Sequence, residues 1–124
     1  MLLTEHKPGN HHAIRRVDES GILVDDQLHT SSLILGARLL EPQWPVHSLD
    51  QLTAESIEPL IRLEPELVLI GIGQKQQFPP VAIQREFLQR GIGLECMTLD
   101  AACRTFNVLM SENRRALAGL IIQR

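Results

Sequence analysis

The apolar positions follow one pattern before residue 40 and another after residue 50. In the first stretch they fall in short groups, at residues 2–5, 13–17, 22–25 and 32–37. Ser20-Gly21 and Asp25-Asp26-Gln27 punctuate this set. Short apolar groups bounded by turn formers predict strands joined in a mostly antiparallel set. Residues 6–12, with Pro8-Gly9 and Gly9-Asn10, read as a loop. Glu41-Pro42-Gln43-Trp44-Pro45 reads as irregular, because two closely spaced prolines each remove a backbone donor.

Beyond residue 50 the period becomes helical, then alternates with solid apolar runs. Ala54, Ile57, Leu60 and Ile61 define one helical face. Thr53 as its cap would leave Pro59 in the helix interior, whereas Ser56 would put that proline in the first turn. A late start or a bend is therefore expected. Leu67–Ile72 is apolar on both faces and predicts a strand covered on both sides. A helix over 80–90 follows, with Pro80 at its first position and Gly91 as a left-handed cap. Residues 92–97 predict another strand, and Thr98 caps the longest helix. Leu99, Ala102, Cys103, Phe106, Leu109 and Met110 form its apolar stripe, with Asp100 and Arg104 paired on the opposite side. Asn113 is placed to end that helix in the left-handed region. Residues 115–122 predict a final strand, again apolar on both faces. The order ββββ-αβαβαβ predicts an α/β fold with helices on a mixed sheet. The early strands either extend that sheet or form a separate ribbon.

Composition narrows the functional classes. At 124 residues the chain is expected to form one domain, residues 1–124, large enough to fold without staples. A net charge of −3 provides no overall basic field for nucleic acid, and three Phe, one Trp and no Tyr offer little for base stacking. No apolar run approaches the ~20 residues of a membrane-spanning helix. The first residues lack the pattern of a targeting segment, so a cytoplasmic location without membrane insertion is expected. Cys96 and Cys103 have no metal-site spacing, and in a reducing compartment no structural disulfide is expected.

Leu69-Ile70-Gly71-Ile72-Gly73, then Gly91-Ile92-Gly93-Leu94-Glu95-Cys96-Met97-Thr98, then Ala101-Ala102-Cys103-Arg104-Thr105-Phe106-Asn107-Val108-Leu109 and Ser111-Glu112-Asn113-Arg114-Arg115 occur in sequence. This succession resembles the small Mth-type family of unknown function, which includes a mitochondrial complex I assembly factor and an adipogenesis-associated protein. The resemblance follows the element order of nearly the whole chain and is specific from about residue 67 onward. The family usually has Gly-Thr-Gly at Gly71-Ile72-Gly73, Gly at Asn113 and often Tyr at Phe106. It implies a three-layered fold, a central mixed sheet carrying helices, whose last strand runs antiparallel to its neighbours. It implies no agreed catalytic residues, and action through protein partners in the mitochondrial member.

The candidate site is the end of the sheet where two strands finish and two helices begin. Open α/β sheets bind ligands there, and helix N-termini favour anions. Gly71 and Gly73 would let backbone N–H groups approach a ligand, Lys75 would add charge, and Thr98 opens the second helix. Together they predict positive potential in this crevice. Glu95 faces either the crevice or solvent. Gly-x-Gly without a third glycine and an immediate helix is a weak dinucleotide signature, and no Walker pattern is present. Cys96, just before a capped helix, is a candidate thiol, although the strand alternation favours a buried small hydrophobe. His6, His11 and His12 lack the spacing of a structural metal site and read as surface residues. Trp44 is either packed on the core or an exposed anchor for a partner. No catalytic residue, metal or cofactor is assigned. The expected role is a non-catalytic interaction or assembly module with a protein partner, related to respiratory-complex assembly. The alternative is a small-anion or small-ligand-binding protein or enzyme using the crevice. Converging polar groups in an open crevice would favour that alternative, and a filled edge the module.

Overall fold

The computed structural model describes residues 11–123. The strand expected at residues 2–5 and His6 lie outside them. The first three strands, β1 (Ile14–Asp18), β2 (Gly21–Val24) and β3 (Gln27–His29), form their own antiparallel ribbon in the order β1-β2-β3. Gly21 has a φ of +138°, and a Cβ there would lie 2.2 Å from the His29 carbonyl oxygen, so the turn between β1 and β2 requires glycine. The next strands, β4 (Leu33–Leu35) and β5 (Leu40–Glu41), join a different sheet. Both outcomes left open for the early strands therefore occur, divided between the two sets.

The main sheet has the order β5-β4-β8-β6-β7, built with β6 (Leu67–Ile72), β7 (Gly93–Met97) and β8 (Ala116–Ile121). β6 is parallel to both β7 and β8. β8 is antiparallel only to β4, which corrects the expectation of a last strand antiparallel to its neighbours. The reason is the crossover: the helix after β7 returns the chain across the sheet, so β8 starts at the same end as β6. All six residues of β8 and five of the six in β6 are buried, as two-faced apolar runs require.

Strand alternation sorts these residues into two cores. Val68, Ile70 and Ile72 of β6, with Leu117 and Ile121 of β8, pack under α1 (Glu58–Ile61) and α2 (Val81–Gln89). Leu69, Ala116, Ala118 and Leu120 point the other way, against α3 (Leu99–Ser111) and Ile14, Ile22 and Val24 of the ribbon. The result is three layers, with a helix-bearing layer on each side of the sheet. On the apolar stripe of α3, Ala102, Cys103, Phe106, Leu109 and Met110 are all buried. Fully burying a side chain such as Phe106 contributes roughly 1.5–3 kcal/mol. Asn107 fixes the ribbon to this helix: its Oδ1 accepts the Ile14 N–H at 2.9 Å and its Nδ2 donates to the Ile14 carbonyl at 2.7 Å.

Helix starts and stops follow the capping chemistry with two exceptions, the first being that α2 begins at Val81 with Pro80 at its N-cap rather than at its first helical position. Thr98 accepts the Ala101 N–H on its hydroxyl at 3.2 Å, and Asn113 has a φ of 58° after the last turn of α3. The helix over Ala54–Ile61 shrinks to α1, with Pro59 in its first turn and Ile57, not Ser56, at the cap. Thr53 and Ser56 bond each other instead: each backbone N–H donates to the other hydroxyl, at 2.8 and 3.1 Å. This reciprocal pair has the geometry of a capping box, with Thr53 closing the turn at residues 54–57 that leads into α1.

Candidate functional site

The parallel register pairs Gly71 with Met97, so β6 and β7 end together as expected. Beyond them lies an open crevice of about 1000 Å³ whose walls include Gly73, Lys75, Gln77, Thr98 and Gln123. Gly71 is buried short of it. A Cβ there would lie 2.5 Å from the Ala102 Cβ, so this glycine lets α3 settle on the sheet. Gly73 has a φ of +67°, and its carbonyl accepts the Leu99 N–H at 3.0 Å. With Ala101 bonded to Thr98, two of the four orphan N–H groups at the start of α3 are satisfied within the chain. Those groups are committed to the fold rather than aimed at a ligand.

The charge of the crevice also differs from expectation. Lys75 and Arg104 share its lining with Asp18, Glu19 and Asp100. Arg104 is itself paired with Asp100 at 3.1 Å. The turn between β1 and β2 brings Asp18 and Glu19 to this end of the sheet, an approach invisible in the sequence of the glycine loop. The predicted positive potential is therefore replaced by a mixed field with more carboxylates than cations.

The remaining candidates scatter. Glu95 is exposed on the edge strand β7 and is not part of the crevice wall. Cys96 is half-buried against the α2-side core, burial pushes its thiol up, and its carbonyl accepts the Gln76 amide at 2.8 Å. Cys103 is pushed up to about 12, first by burial and then by Asp100. Neither thiol has the lowered pKa of an activated nucleophile. His12 Nδ1 meets Asp25 Oδ2 at 2.7 Å, which ties residue 12 to the turn after β2. Trp44 is 4% exposed, its indole N–H donates to the Ser56 carbonyl at 2.9 Å, and its ring covers Gly119. Core packing is the role its environment supports; it presents no surface for a partner.

At the opposite end of the sheet lies a cavity of about 610 Å³ that the sequence reading missed. Its charged lining residues are Arg38, Arg114 and Arg115, with His11 beside them. Leu39, Leu63, Pro65, Met110, Ala116 and Leu117 supply an apolar floor and rim. Glu66 receives Arg114 through two bonds of 3.1 Å and also accepts the Arg115 backbone N–H at 3.2 Å. The Arg114 hydrogen bond, then that backbone bond, hold Glu66 below its ordinary value. The adjacent Arg114-Arg115 pair after Asn113 was the visible signal. Arg38 comes from the turn between β4 and β5, and no spacing rule joins it to them.

A three-layered α/β fold with this mixed sheet defines a domain whose ends, rather than its faces, are open. The chain belongs to the family described as "Protein of unknown function (DUF498/DUF598)", which it matches over residues 14–121. A relative from Francisella tularensis, named "13 kDa major membrane protein", is 35% identical over 90 residues, covering 72% of this chain and 73% of that protein. The NADH dehydrogenase [ubiquinone] 1 alpha subcomplex assembly factor 3 of Bos taurus is 30% identical over 119 residues. That match covers 87% of this chain but 65% of the relative, so the chain spans just under two thirds of that assembly factor. The NMR structure of a Xanthomonas campestris protein superposes with a TM-score of 0.83 at 40% identity, covering 98% of this chain and 92% of that one. A Bordetella pertussis structure described as a Mth938-like domain shares the fold at 23% identity and a TM-score of 0.77. The Mth-type resemblance holds. Among the described residues no helix is long and apolar enough to cross a membrane.

Proposed function

We propose that the chain is a non-catalytic interaction or assembly module, working with a protein partner in the building of a respiratory NADH dehydrogenase. The observation that carries this reading is the match to proteins named assembly factor 3 over most of this chain. What those relatives hold in common with this chain is the domain, so the domain is the part expected to contact a partner. The proposed site of action is the cytoplasm. Deleting the gene in its host and resolving membrane complexes on native gels tests the reading. Depletion of assembled NADH dehydrogenase, reversed by the intact gene, is the expected result; unchanged complex levels would overturn it. Fractionation of the same cells checks the location.

A second reading has one observation behind it: the crevice beside Gly73, Lys75 and Thr98 is open, with polar and charged side chains set among apolar ones. A small ligand held there would stabilise the fold by RT ln(1 + [L]/Kd), or ~2.7 kcal/mol at a hundredfold excess over Kd. Because the field is mixed, a zwitterionic or neutral polar compound suits it better than a simple anion. Thermal shifts across nucleotides, phosphosugars and amino acids, repeated in Lys75→Ala, decide the matter. The reading survives only if a compound raises the melting temperature and the variant weakens that effect.

A further inference from the structure

The cavity at the other end of the sheet carries a more specific chemistry. Its charged lining residues are all basic, in a chain whose net charge is −3. Its floor is hydrocarbon: Met110 and Leu117 are buried core residues that reach its wall, while Leu63 stands 57% exposed at the rim. A volume of about 610 Å³ falls in the range of small-molecule sites.

The two neighbouring arginines are not equivalent. Arg114 donates to Glu66 through the Nε and Nη2 edge of its guanidinium, with Glu112 3.9 Å away, so its charge is compensated. Arg115 donates one guanidinium N–H to the Glu64 carbonyl at 2.6 Å, and no carboxylate forms an ion pair with it among the described residues. Glu66 thus takes up one arginine and, through the Arg115 backbone N–H, helps fix where the next one starts. A guanidinium positioned by a backbone carbonyl keeps further N–H donors in a planar fork, the geometry that matches a carboxylate.

We propose that this cavity binds an organic carboxylate with a short hydrocarbon tail. The carboxylate meets Arg115, and the tail covers Leu39, Leu63 and Leu117. The inference is independent of the assembly reading, because it concerns a different end of the sheet and is tested by direct binding. The same chemistry is offered by a free short-chain acid or by the terminal carboxylate of a peptide ending in an apolar residue.

The test is an NMR titration of the full chain with hexanoate, acetate, hexanol and inorganic phosphate. Hexanoate is expected to move the amide signals of Leu39, Arg115 and Ala116 saturably, with acetate and hexanol each weaker. Arg115→Gln should weaken hexanoate about tenfold or more, the scale of one lost charged hydrogen bond. Leu63→Glu is the second variant, since an exposed side chain changes without touching the core; it should weaken hexanoate by repulsion while the amide spectrum stays folded. A leucine-ending tetrapeptide and its C-terminal amide distinguish the sources: tighter binding of hexanoate identifies a free acid, tighter binding of the peptide acid a chain terminus. The proposal is overturned if hexanoate gives no saturable shift, if phosphate or hexanol matches it, if both variants bind it unchanged, or if the shifts fall at Lys75 and Thr98 instead.

Discussion

Asn113 has a φ of 58°, where a side chain with a branched β-carbon is strained and glycine is not. Asn113→Gly should leave the melting temperature unchanged or slightly raised, while Asn113→Val should destabilise by ~1 kcal/mol or more in a denaturant titration. The cysteines give a second residue-level test. With its thiol pushed up by burial, Cys96 should react with a thiol reagent more slowly than a free cysteine at the same pH, and Cys103 should react only once denaturant opens the core. Prompt modification of both thiols in the native protein would contradict their placement. Glu66 supplies a pH signature. Its carboxyl is held below the ordinary 4.5 by Arg114 and the Arg115 backbone, so its stabilising charge is fully present above 4.5. That contribution is lost as pH falls through the lowered folded value. Glu66→Gln should therefore lose stability near neutral pH and show a shallower decline on the acid side, measured by denaturation midpoints against pH.

At the scale of elements, the glycine beneath Trp44 is a close contact between the sheet and the irregular segment that covers it. A Cβ on Gly119 would lie 2.8 and 2.9 Å from two indole carbons and 3.1 Å from Ile70. Both neighbours are core residues with little room to move, so Gly119→Ala should destabilise by ~1–3 kcal/mol, the range of overpacked cores. A melting temperature equal to the parent's would show that the indole can shift. The elements legible in sequence were β6 and β8, apolar on both faces, α3 with its periodic stripe, α2 between Pro80 and Gly91, and β1, β2, β4 and β7 as apolar groups bounded by turn formers. Short elements escaped. β3 has three residues, none of them buried, and β5 has two half-buried ones, so neither leaves an alternation to read. The start of α1 was misplaced because Ser56 answers Thr53 rather than the helix. Of the residues expected around the crevice, Gly73, Lys75 and Thr98 line it, whereas Gly71 and Glu95 do not. Two of the crevice's three carboxylates, Asp18 and Glu19, arrive from the ribbon, and the arginine cavity is gathered from separate turns that only the tertiary fold brings together.

For the molecule as a whole, the two ends of the sheet offer different surfaces: mixed charge at one, arginines over hydrocarbon at the other. β8 lies between them and joins β4 to β6. Of the eight strands described it is also the one the ribosome makes last. Until residue 121 has been synthesised, β4 and β6 are each left with an open edge, and neither core can close over the middle of the sheet. Such edges are templates for pairing with the wrong chain. A nascent chain stalled before Ala116 should therefore be protease-sensitive and prone to aggregate, and release of the next few residues should convert it to the resistant form. Protection during synthesis is then a need set by strand order: the centre of the sheet is made after every strand that flanks it.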